Sequence, residues 1–583
     1  MPTPRPTPRS AAASMLPLAS MPDCDTPVLI VGGGPTGLMA ALLLARQGIA
    51  AMLVERHAGT SIHPRARGLN VRTMEILRAA GLEGAVRDAG AALDASRYML
   101  FVDTLAGDEI RRVLDADLLP VGDALARVTP CDWCRCAQDE LEPVLAATAR
   151  AHGADLRFGT ELVALTQDAD GVSATIEDRA DGSRRTVRAR YVLAADGSHS
   201  PVRAALSVAM AGLGPVSRGQ LGHFVNVYFR ADLAGLVRGR EFILCFVERS
   251  GAEGLLMAVN NADRWLLNIE YDPEARESAA MFTPERCEER VRAAIGIPDL
   301  DLEVLSVLPW EGAALIADRF QVGRVFLAGD AAHVMPPAGG FGLNTGVQDA
   351  HNLAWKLALV LGGVADPALL DTYEAERLPI ARVVVERAVS ELAAPTPDAA
   401  PAWGGPEPGS SGQDGPGDGP WGDDDGDPLA QLPPILGYHY QSRAVVAEGR
   451  DDGHETPSDA LDLTGRPGTR APHMWVERDG ARLSTLDLFD GHFVLLAGAR
   501  GEAWCDAARH VAARLGIALD AYRVGADGDL VDHDGEWAAA YGVSSAGAAL
   551  VRPDGTVGWR SAVDAQYPLE EIARILPRLL CRE

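Results

Sequence analysis

The chain has 583 residues, of which 47% are hydrophobic and 23% charged, a composition typical of a globular protein with several domains. Its net charge of −28 argues against a nucleic-acid partner and against attraction to an anionic membrane. No apolar run in the sequence is long enough to cross a bilayer. The scattered cysteines suit a reducing compartment, and we expect a cytoplasmic location.

The N-terminal segment and one cysteine cluster could each be taken for a functional feature. Residues 1–26 are rich in Pro, Arg, Ser and Ala, and disorder fits this composition better than a signal peptide does. The cluster "CDWCRC" (131–136) is followed by no second Cys/His pair at zinc spacing. We therefore expect reduced thiols and no metal site.

The first motif is a glycine-rich turn. The stretch "TPVLIVGGGPTGLMAALLLARQG" (26–48) predicts a buried strand over 28–31, then a turn, then a helix. In the pattern G-x-G-x-x-G, successive glycines allow a tight turn, the approach of a pyrophosphate, and close packing of helix on strand. The phosphates of a dinucleotide are then expected at the helix N-terminus. The predicted contacts are Gly32, Gly34, Pro35, Thr36 and Gly37.

The next strand, "AAMLVER" (50–56), ends on an acid. Glu55 stands where a ribose hydroxyl needs a hydrogen-bond acceptor, and Arg56 follows it. Strand, glycine turn, helix and acid together predict a dinucleotide site, but they do not identify the dinucleotide.

Two later motifs suggest which dinucleotide it is. "YVLAADGSHSPVR" (191–203) and "VFLAGD" (325–330) are both apolar strands that end on an acid. Together with the first motif they resemble the class A flavoprotein aromatic hydroxylases of the p-hydroxybenzoate and phenol hydroxylase type. The resemblance covers most of residues 27–390 and implies FAD as the cofactor. It places Asp196 near the pyrophosphate and Asp330 on the ribityl chain.

Two further residues follow from the resemblance by position. Arg65, in "HPRARGLNVRTMEILRAAG", matches the family arginine near the pyrophosphate, and Gln138, in "CAQDELEPVL", matches a glutamine near the ribityl chain and ring.

The segment "MPPAGGFGLN" (335–344) is interpreted as the flavin loop. Glycines permit close approach of the backbone to a flat ring, and the two prolines stiffen the turn. We predict a helix beginning near Asn344, whose positive end stabilises the anionic reduced flavin. The predicted contacts are Pro337, which we also expect to act in catalysis through its backbone, Gly340, Gly342, Leu343 and Asn344.

The resemblance also implies a reaction. NADPH or NADH reduces the flavin transiently, which fits the lack of a second strand-linked G-x-G-x-x-G in the sequence. Reduced flavin then reacts with O2 to give a C4a-hydroperoxide, which an electron-rich aromatic ring attacks.

Three segments narrow the resemblance further: "GHFVNVYFRADL" (222–233), "VLPWEGAALIADRF" (307–320) and "GGFGLNTGVQDAHNLAWK" (339–356). They are most similar to hydroxylases of bacterial aromatic polyketide pathways, of the tetracenomycin and anthracycline kind. This similarity implies a polycyclic phenol or quinone as the substrate.

The substrate residues are less well determined. Alternating segments within 204–320 predict a mostly antiparallel sheet, on which Asn226, Tyr228 and Asn268 could face a ligand or could be ordinary strand residues. The paired tyrosine and arginine of the phenol hydroxylases have no match in "DRWLLNIEYD" (263–272). His63, close to the flavin loop, is a candidate proton acceptor.

Other functions stay open. Baeyer–Villiger or ring-opening oxygen insertion would use the same flavin site. A flavin-binding sensor without turnover is another alternative. A halogenase is disfavoured, because its W-x-W-x-I-P stretch is missing and Lys356, the only lysine, lies behind the flavin loop.

The sequence thus predicts an α/β fold: a Rossmann-like FAD-binding domain with an inserted, mostly antiparallel sheet, and a C-terminal domain that resembles thioredoxin but lacks Cys-x-x-Cys. For this last domain we expect a structural or dimerising role, so a homodimer is one option. The predicted boundaries are 1–26 (disordered), 27–203 and 321–392 (FAD-binding), 204–320 (substrate-binding), 393–434 (Pro/Gly/Asp-rich linker) and 435–583 (C-terminal).

Overall fold

The structure, a computed structural model, describes residues 25–114, 122–213, 220–393, 429, 431–448 and 461–582. Of the N-terminus predicted to be disordered, 1–26, residues 1–24 fall outside these ranges, as does nearly all of the predicted linker. Thr26, however, already belongs to a β-strand, so the predicted boundary lies too far along the chain. Within them, no helix has the length and apolar character needed to span a membrane.

The strands follow the apolar segments of the sequence. They are β1 (Thr26–Val31), β2 (Ala51–Glu55), β3 (Gly68–Leu69), β4 (Tyr98–Val102), β5 (Glu109–Leu114), β6 (Cys134–Arg135), β7 (Asp155–Phe158), β8 (Thr160–Gln167), β9 (Val172–Asp178), β10 (Arg184–Ala194), β11 (Met210–Gly212), β12 (Gln220–Arg230), β13 (Phe242–Val247), β14 (Gly254–Ala258), β15 (Arg264–Tyr271), β16 (Glu303–Ala313), β17 (Leu315–Ala317), β18 (Gln321–Val322), β19 (Val325–Leu327), β20 (His333–Val334), β21 (Trp475–Arg478), β22 (Ala481–Ser484), β23 (Phe493–Gly498), β24 (Leu519–Val524), β25 (Ala548–Val551) and β26 (Val557–Ser561).

The α-helices alternate with these strands mainly at the two ends of the chain. They are α1 (Pro35–Arg46), α2 (Val71–Ala79), α3 (Glu83–Gly90), α4 (Asp123–Ala126), α5 (Gln138–Ala151), α6 (Pro201–Ala205), α7 (Ala234–Val237), α8 (Pro284–Ile295), α9 (Phe341–Leu361), α10 (Thr372–Ala393), α11 (Pro433–Leu436), α12 (Glu502–Leu515), α13 (Trp537–Ala540) and α14 (Pro568–Leu579).

The first sheet is the parallel core that the glycine motif predicts. Its order is β18-β19-β10-β1-β2-β7, in which β19, β10, β1, β2 and β7 run parallel, and β8 and β9 extend β10 as an antiparallel ribbon. Helix α1 packs against both α5 and α9 beside this sheet. The carboxyl ends of β1, β2, β10 and β19 therefore meet at one edge, which is where ligands bind in sheets of this kind.

The second sheet is mostly antiparallel, with the order β16-β12-β15-β14-β13-β4-β5. Side chains alternate between its faces. Val225, Val227 and Phe229 on one face share a core with Val291 of α8, while the other face turns toward the parallel sheet.

This sheet extends beyond the predicted substrate-binding range. Strands β4 and β5, at 98–114, belong to it, because β4 pairs in parallel with β13. Such a long-range pairing leaves no local signal in the sequence, so the predicted domain boundaries need this hairpin added to the 204–320 segment.

The C-terminal unit has the predicted succession of strand, helix, strand, helix, hairpin and helix. Its sheet order is β24-β23-β25-β26; β24 is parallel to β23, and β25 and β26 are antiparallel. Helices α12 and α14 cover one face. Trp355 of α9 and Leu369 belong to the same apolar cluster, so this unit packs directly on the helix that follows the flavin loop.

Buried ion pairs reinforce this junction. Arg552 donates to both carboxylate oxygens of Glu376 on α10, at 2.7 and 2.9 Å, and Lys356 of α9 donates to one of them at 2.8 Å. All three side chains are fully buried. Although burial alone raises it, the charges of Arg552 and Lys356 hold the pKa of Glu376 well below its usual range. The C-terminal unit therefore neutralises a carboxylate that the FAD-binding part buries.

We predict that Arg552→Met lowers the free energy of unfolding by about 3 kcal/mol or more, because it leaves Glu376 buried with one cation fewer. Urea unfolding of the FAD-loaded protein measures this change. Arg184→Met is the matched control, since Arg184 pairs with Glu177 while 65% exposed and should cost less than about 1 kcal/mol. Equal losses in the two variants would contradict the prediction.

Candidate active site

A cavity of about 2410 Å³ lies between the carboxyl edge of the parallel sheet and the free face of the second sheet. Its walls come from the glycine turn, the loop 65–69, residues 195–204, the flavin loop and strands of the second sheet. Segments far apart in sequence therefore meet around one space.

The glycine turn has the geometry that a pyrophosphate requires. Gly32 has φ +107°, and a Cβ on it would lie 2.1 Å from the Ala195 carbonyl oxygen. A Cβ on Gly37 would lie 2.0 Å from the Gly32 carbonyl oxygen, whereas one on Gly34 would point into open space. Gly34, Pro35 and Thr36 line the cavity.

The N-terminus of α1 is free to receive an anion. No side chain in the described residues caps this helix, and its first turn contains no acidic residue. Its unpaired N–H groups and the positive end of its dipole therefore face the cavity. This arrangement fits the pyrophosphate of FAD.

Glu55 lies beside this turn. One of its carboxylate oxygens accepts from the Gly33 N–H at 2.7 Å and the other from the His57 N–H at 2.8 Å. The oxygen that binds His57 N–H also lies 2.6 Å from His57 Nδ1. The oxygen that binds Gly33 keeps a further lone pair, which is compatible with the predicted ribose contact. Arg56 is exposed and is not part of the cavity wall.

Arg65 and Gln138 both line the cavity. Arg65 is exposed, and the Gln138 side chain donates to Glu142 at 2.6 Å. Sequence reasoning missed their neighbour Arg67, which donates to the carbonyl oxygens of Ile243 and Ala258 at 3.1 and 3.0 Å. Arg67 thereby ties this loop to the second sheet.

The side chain of Asp196 is hydrogen-bonded within the loop that follows β10. Its carboxylate accepts from the Ser200 hydroxyl at 2.5 Å and from the Val202 N–H at 3.1 Å. Its neighbours Ala195 and Gly197 form the cavity wall, and Asp196 itself does not. Its predicted place near the pyrophosphate thus corresponds to a loop-shaping side chain rather than one that points into the cavity.

Asp330 follows β19 and lines the cavity. Its carboxylate has no hydrogen-bond partner among the described residues. Desolvation by the surrounding protein raises its pKa, and the charges of His333 and Arg65 partly offset this effect. A free carboxylate at this strand end is what a ribityl hydroxyl needs as an acceptor.

A buried network fixes the backbone next to Asp330, and sequence reasoning missed it. Asp349 on α9 accepts from the Gly329 N–H at 3.0 Å, from Arg377 at 2.7 Å, and lies 2.7 Å from His333 Nε2. The side chains of Asp349, His333 and Arg377 are fully buried. The sequence offers no signal for it, since an acid inside an apolar helix has no motif of its own.

The flavin loop presents backbone to the cavity, as predicted. Gly339 and Gly340 have φ values of +68° and +65°, a left-handed conformation that favours glycine. Helix α9 begins at Phe341, three residues before the predicted start near Asn344, because Gly340 is its N-cap. No described side chain caps this helix, so its first N–H groups are also available.

The other predicted flavin residues lie on this wall, which includes Pro337, Gly340, Gly342, Leu343 and Asn344. The side chain of Asn344, however, is engaged within the protein. It accepts from the Asn70 N–H at 3.0 Å and donates to the carbonyl oxygens of Gly68 and Gly340 at 3.0 and 2.7 Å. Asn344 therefore fastens the helix start to the loop 68–70.

His63 lies outside the cavity wall. Its ring is buried 5.9 Å from that of Tyr228, which is not part of the wall either, and its nitrogens have no partner among the described residues. Burial, and then the charge of Arg65, lower the pKa of His63 to about 4. Such a weak base away from the cavity does not support the predicted role as proton acceptor.

The second sheet supplies an apolar wall with one polar cluster. Phe224 and Trp310 stack with ring centres 4.5 Å apart. Beside them, Asn226 Oδ1 accepts from Asn268 Nδ2 at 2.6 Å and from Trp310 Nε1 at 3.2 Å. The apolar residues of this wall are Met99, Phe101, Phe224, Leu244, Phe246, Leu255, Met257, Leu266, Leu308 and Trp310.

The site thus combines a dinucleotide cradle, an acid without a partner among the described residues after β19, and an adjoining aromatic pocket, which are the features that a flavoprotein oxygenase needs. Comparison with known families agrees: residues 25–388 match the FAD binding domain family, and residues 464–582 match the aromatic-ring hydroxylase C-terminal family. The chain belongs to the FAD-dependent aromatic-ring hydroxylases. It is a flavoprotein monooxygenase with FAD as its cofactor.

Individual relatives match over nearly the whole chain. A putative polyketide hydroxylase of Streptomyces halstedii is 46% identical over 95% of this chain and 96% of its own length. Tetracenomycin A2 monooxygenase-dioxygenase of Streptomyces glaucescens is 40% identical, with 96% and 97% covered. The crystal structure of aklavinone-11 hydroxylase with FAD and aklavinone superposes with a TM-score of 0.82 at 37% identity, covering 96% of this chain and 100% of that one.

We predict that Gly37→Ala abolishes or strongly weakens FAD retention, because its Cβ would lie 2.0 Å from the Gly32 carbonyl oxygen and displace the turn. Flavin content per protein chain after purification and gel filtration measures the effect. Gly59→Ala is the control, since a Cβ there meets no atom within 4 Å. Full flavin content in the Gly37→Ala protein would refute the assigned cradle.

Proposed function

We propose that this chain uses NAD(P)H and O2 to hydroxylate a polycyclic aromatic phenol or quinone of the polyketide type. The observation that supports the proposal most strongly is the size and lining of the cavity between the two sheets. Pockets for one ligand enclose about 300–1,000 Å³, whereas this cavity reaches about 2410 Å³ and has a dinucleotide cradle at one end and an aromatic wall at the other. It has room for FAD and a large planar substrate together.

The cofactor end follows from the described geometry. The N-terminus of α1 and Gly34 would bind the pyrophosphate, and Asp330 would accept a hydrogen bond from the ribityl chain. The uncapped N-terminus of α9 would stabilise negative charge on the flavin's pyrimidine end. FAD, once reduced by NAD(P)H, supplies the activation of O2.

The substrate end follows from the second sheet. Phe224 and Trp310 offer a flat aromatic surface, and the apolar side chains around them would keep water from the reacting centre. Asn226 and Asn268 are the polar groups available to orient a substrate there. The polyketide relatives, among them a structure solved with aklavinone, support this substrate class.

We also infer a thioredoxin-like topology for the C-terminal unit, supported by its sheet order β24-β23-β25-β26. Its role would be structural. Cys505 is buried in α12, and burial raises the pKa of its thiol to about 11, which does not suit redox exchange. A cytoplasmic location and a homodimer are further parts of this proposal.

NAD(P)H oxidation by the FAD-loaded protein, with product masses read in parallel, tests the proposed function. We expect polycyclic phenols or quinones to accelerate oxidation and to gain one oxygen with an intact ring skeleton, and simple phenols to have little effect. NADH and NADPH are compared in the same assay. A product with an opened or enlarged ring would show that the reaction is oxygen insertion and not hydroxylation. If no aromatic compound accelerates NAD(P)H oxidation, the result would favour a flavin-binding sensor.

A further inference from the structure

We propose that Asn226 and Asn268 form a donor–acceptor pair that selects substrates with a carbonyl oxygen next to a phenolic hydroxyl. This inference rests on the proposed function, which places an aromatic substrate against the second sheet. It adds which oxygen substituents the substrate must carry, and which side chains detect them.

The two amides are held side by side. Asn226 on β12 and Asn268 on β15 are direct partners in the antiparallel register, and both line the cavity. Side chains of such partners point to the same face with Cβ atoms about 5 Å apart. Their own hydrogen bond, Asn268 Nδ2 to Asn226 Oδ1 at 2.6 Å, fixes them relative to each other.

Trp310 determines which way the Asn226 amide points. An indole N–H can only donate, so the amide atom 3.2 Å from Trp310 Nε1 must be the oxygen. The Nδ2 group of Asn226 is thereby left as a donor. Asn268 already donates through Nδ2 to Asn226. The Oδ1 atom of Asn268 is therefore left as an acceptor.

These two remaining groups have no partner among the residues that the structure describes. The hydrogen bonds of both side chains within the described residues are the two to Asn226 Oδ1. Neither Asn226 Nδ2 nor Asn268 Oδ1 belongs to the buried atoms that lack a partner, although Asn268 is only 4% exposed. Both atoms therefore reach the cavity, with one N–H donor beside one carbonyl acceptor.

A hydroxyl next to a carbonyl on a planar ring system is the complement of this pair. The carbonyl oxygen accepts from Asn226 Nδ2 through its outer lone pair, and the hydroxyl proton, which already bridges to that carbonyl, is shared with Asn268 Oδ1 in a three-centre hydrogen bond. The stacked Phe224 and Trp310 lie next to the pair, so the ring plane can rest on them while its oxygen-bearing edge meets the amides. An analogue without the hydroxyl leaves a buried acceptor unpaired and is disfavoured.

The test compares 1-hydroxyanthraquinone with 1-methoxyanthraquinone as ligands of the oxidised, FAD-loaded protein, with affinity read from the change in flavin absorbance. For the wild-type chain we expect the hydroxy compound to bind about tenfold more tightly. Asn226→Asp keeps the acceptor for Trp310 and Asn268 but turns the free donor into an acceptor. Because both compounds carry the carbonyl that Asn226 Nδ2 would bind, we expect this variant to lose about tenfold in affinity for each of them and to keep the preference that Asn268 Oδ1 provides.

Two further variants complete the test: one removes the orienting N–H group, and the other is a control. Trp310→Phe retains the ring but removes the orienting N–H, so the preference should fall even if Asn226→Asp does not fold. Tyr271→Phe, on the opposite face of β15 and outside the cavity wall, should behave as the wild type.

The outcomes separate this inference from the proposed function. If neither quinone binds the wild-type protein, the proposed substrate class fails and the inference falls with it. If the two quinones bind the wild-type protein equally, if Asn226→Asp keeps full affinity for both, or if Trp310→Phe keeps the full preference, the inference is overturned while the monooxygenase proposal stands.

Discussion

The buried carboxylate of Asp349 is the interaction on which the flavin site depends. It accepts a hydrogen bond from the Gly329 N–H just after β19, lies against His333 on β20 just before the flavin loop, and pairs with Arg377 on α10. A charge with no solvent access is tolerated only when it is paired and hydrogen-bonded. The strand end, the loop and the helix are therefore locked in the one arrangement that leaves Asp330 and the N-terminus of α9 facing the cavity.

Buried polar contacts also connect α10 to the C-terminal unit. Arg377 also donates to the Tyr440 hydroxyl at 3.1 Å, and Arg552 neutralises Glu376 one helical position earlier on α10. Helix α9 thus lies between the cavity on one side and a separately folded unit on the other. This explains how a unit without redox cysteines can matter for a flavin enzyme, since it helps to hold the helix whose N-terminus faces the cavity.

Much of the cofactor site could be predicted from the sequence, because its chemistry depends on backbone. The glycine turn is confirmed by positive φ at Gly32 and by the contact that a Cβ on Gly37 would make. The alternating strands of the second sheet and the succession of elements in the C-terminal unit are confirmed as well. Local patterns of glycine and apolar residues carry this information.

What the sequence could not supply was long-range pairing. The β4–β5 hairpin joins the second sheet through β13, and Asp349 meets partners from three other elements.

The predicted start of α9 was wrong by three residues, because Gly340 adopts a left-handed conformation as the N-cap. His63, which was expected to lie close to the flavin loop, faces Tyr228 outside the cavity wall. Nor could the sequence show that Trp310 orients Asn226, since the two meet only across paired strands.

Isotope labelling tests monooxygenation most directly. The FAD-loaded protein would be supplied with NAD(P)H, a polycyclic hydroxyquinone and oxygen-18 gas in ordinary water, and the product would be examined by mass spectrometry. One labelled atom per product molecule is the expected result, with the second oxygen released as water. A product whose new oxygen comes from water, or NAD(P)H consumption with no labelled product from any aromatic, would contradict it.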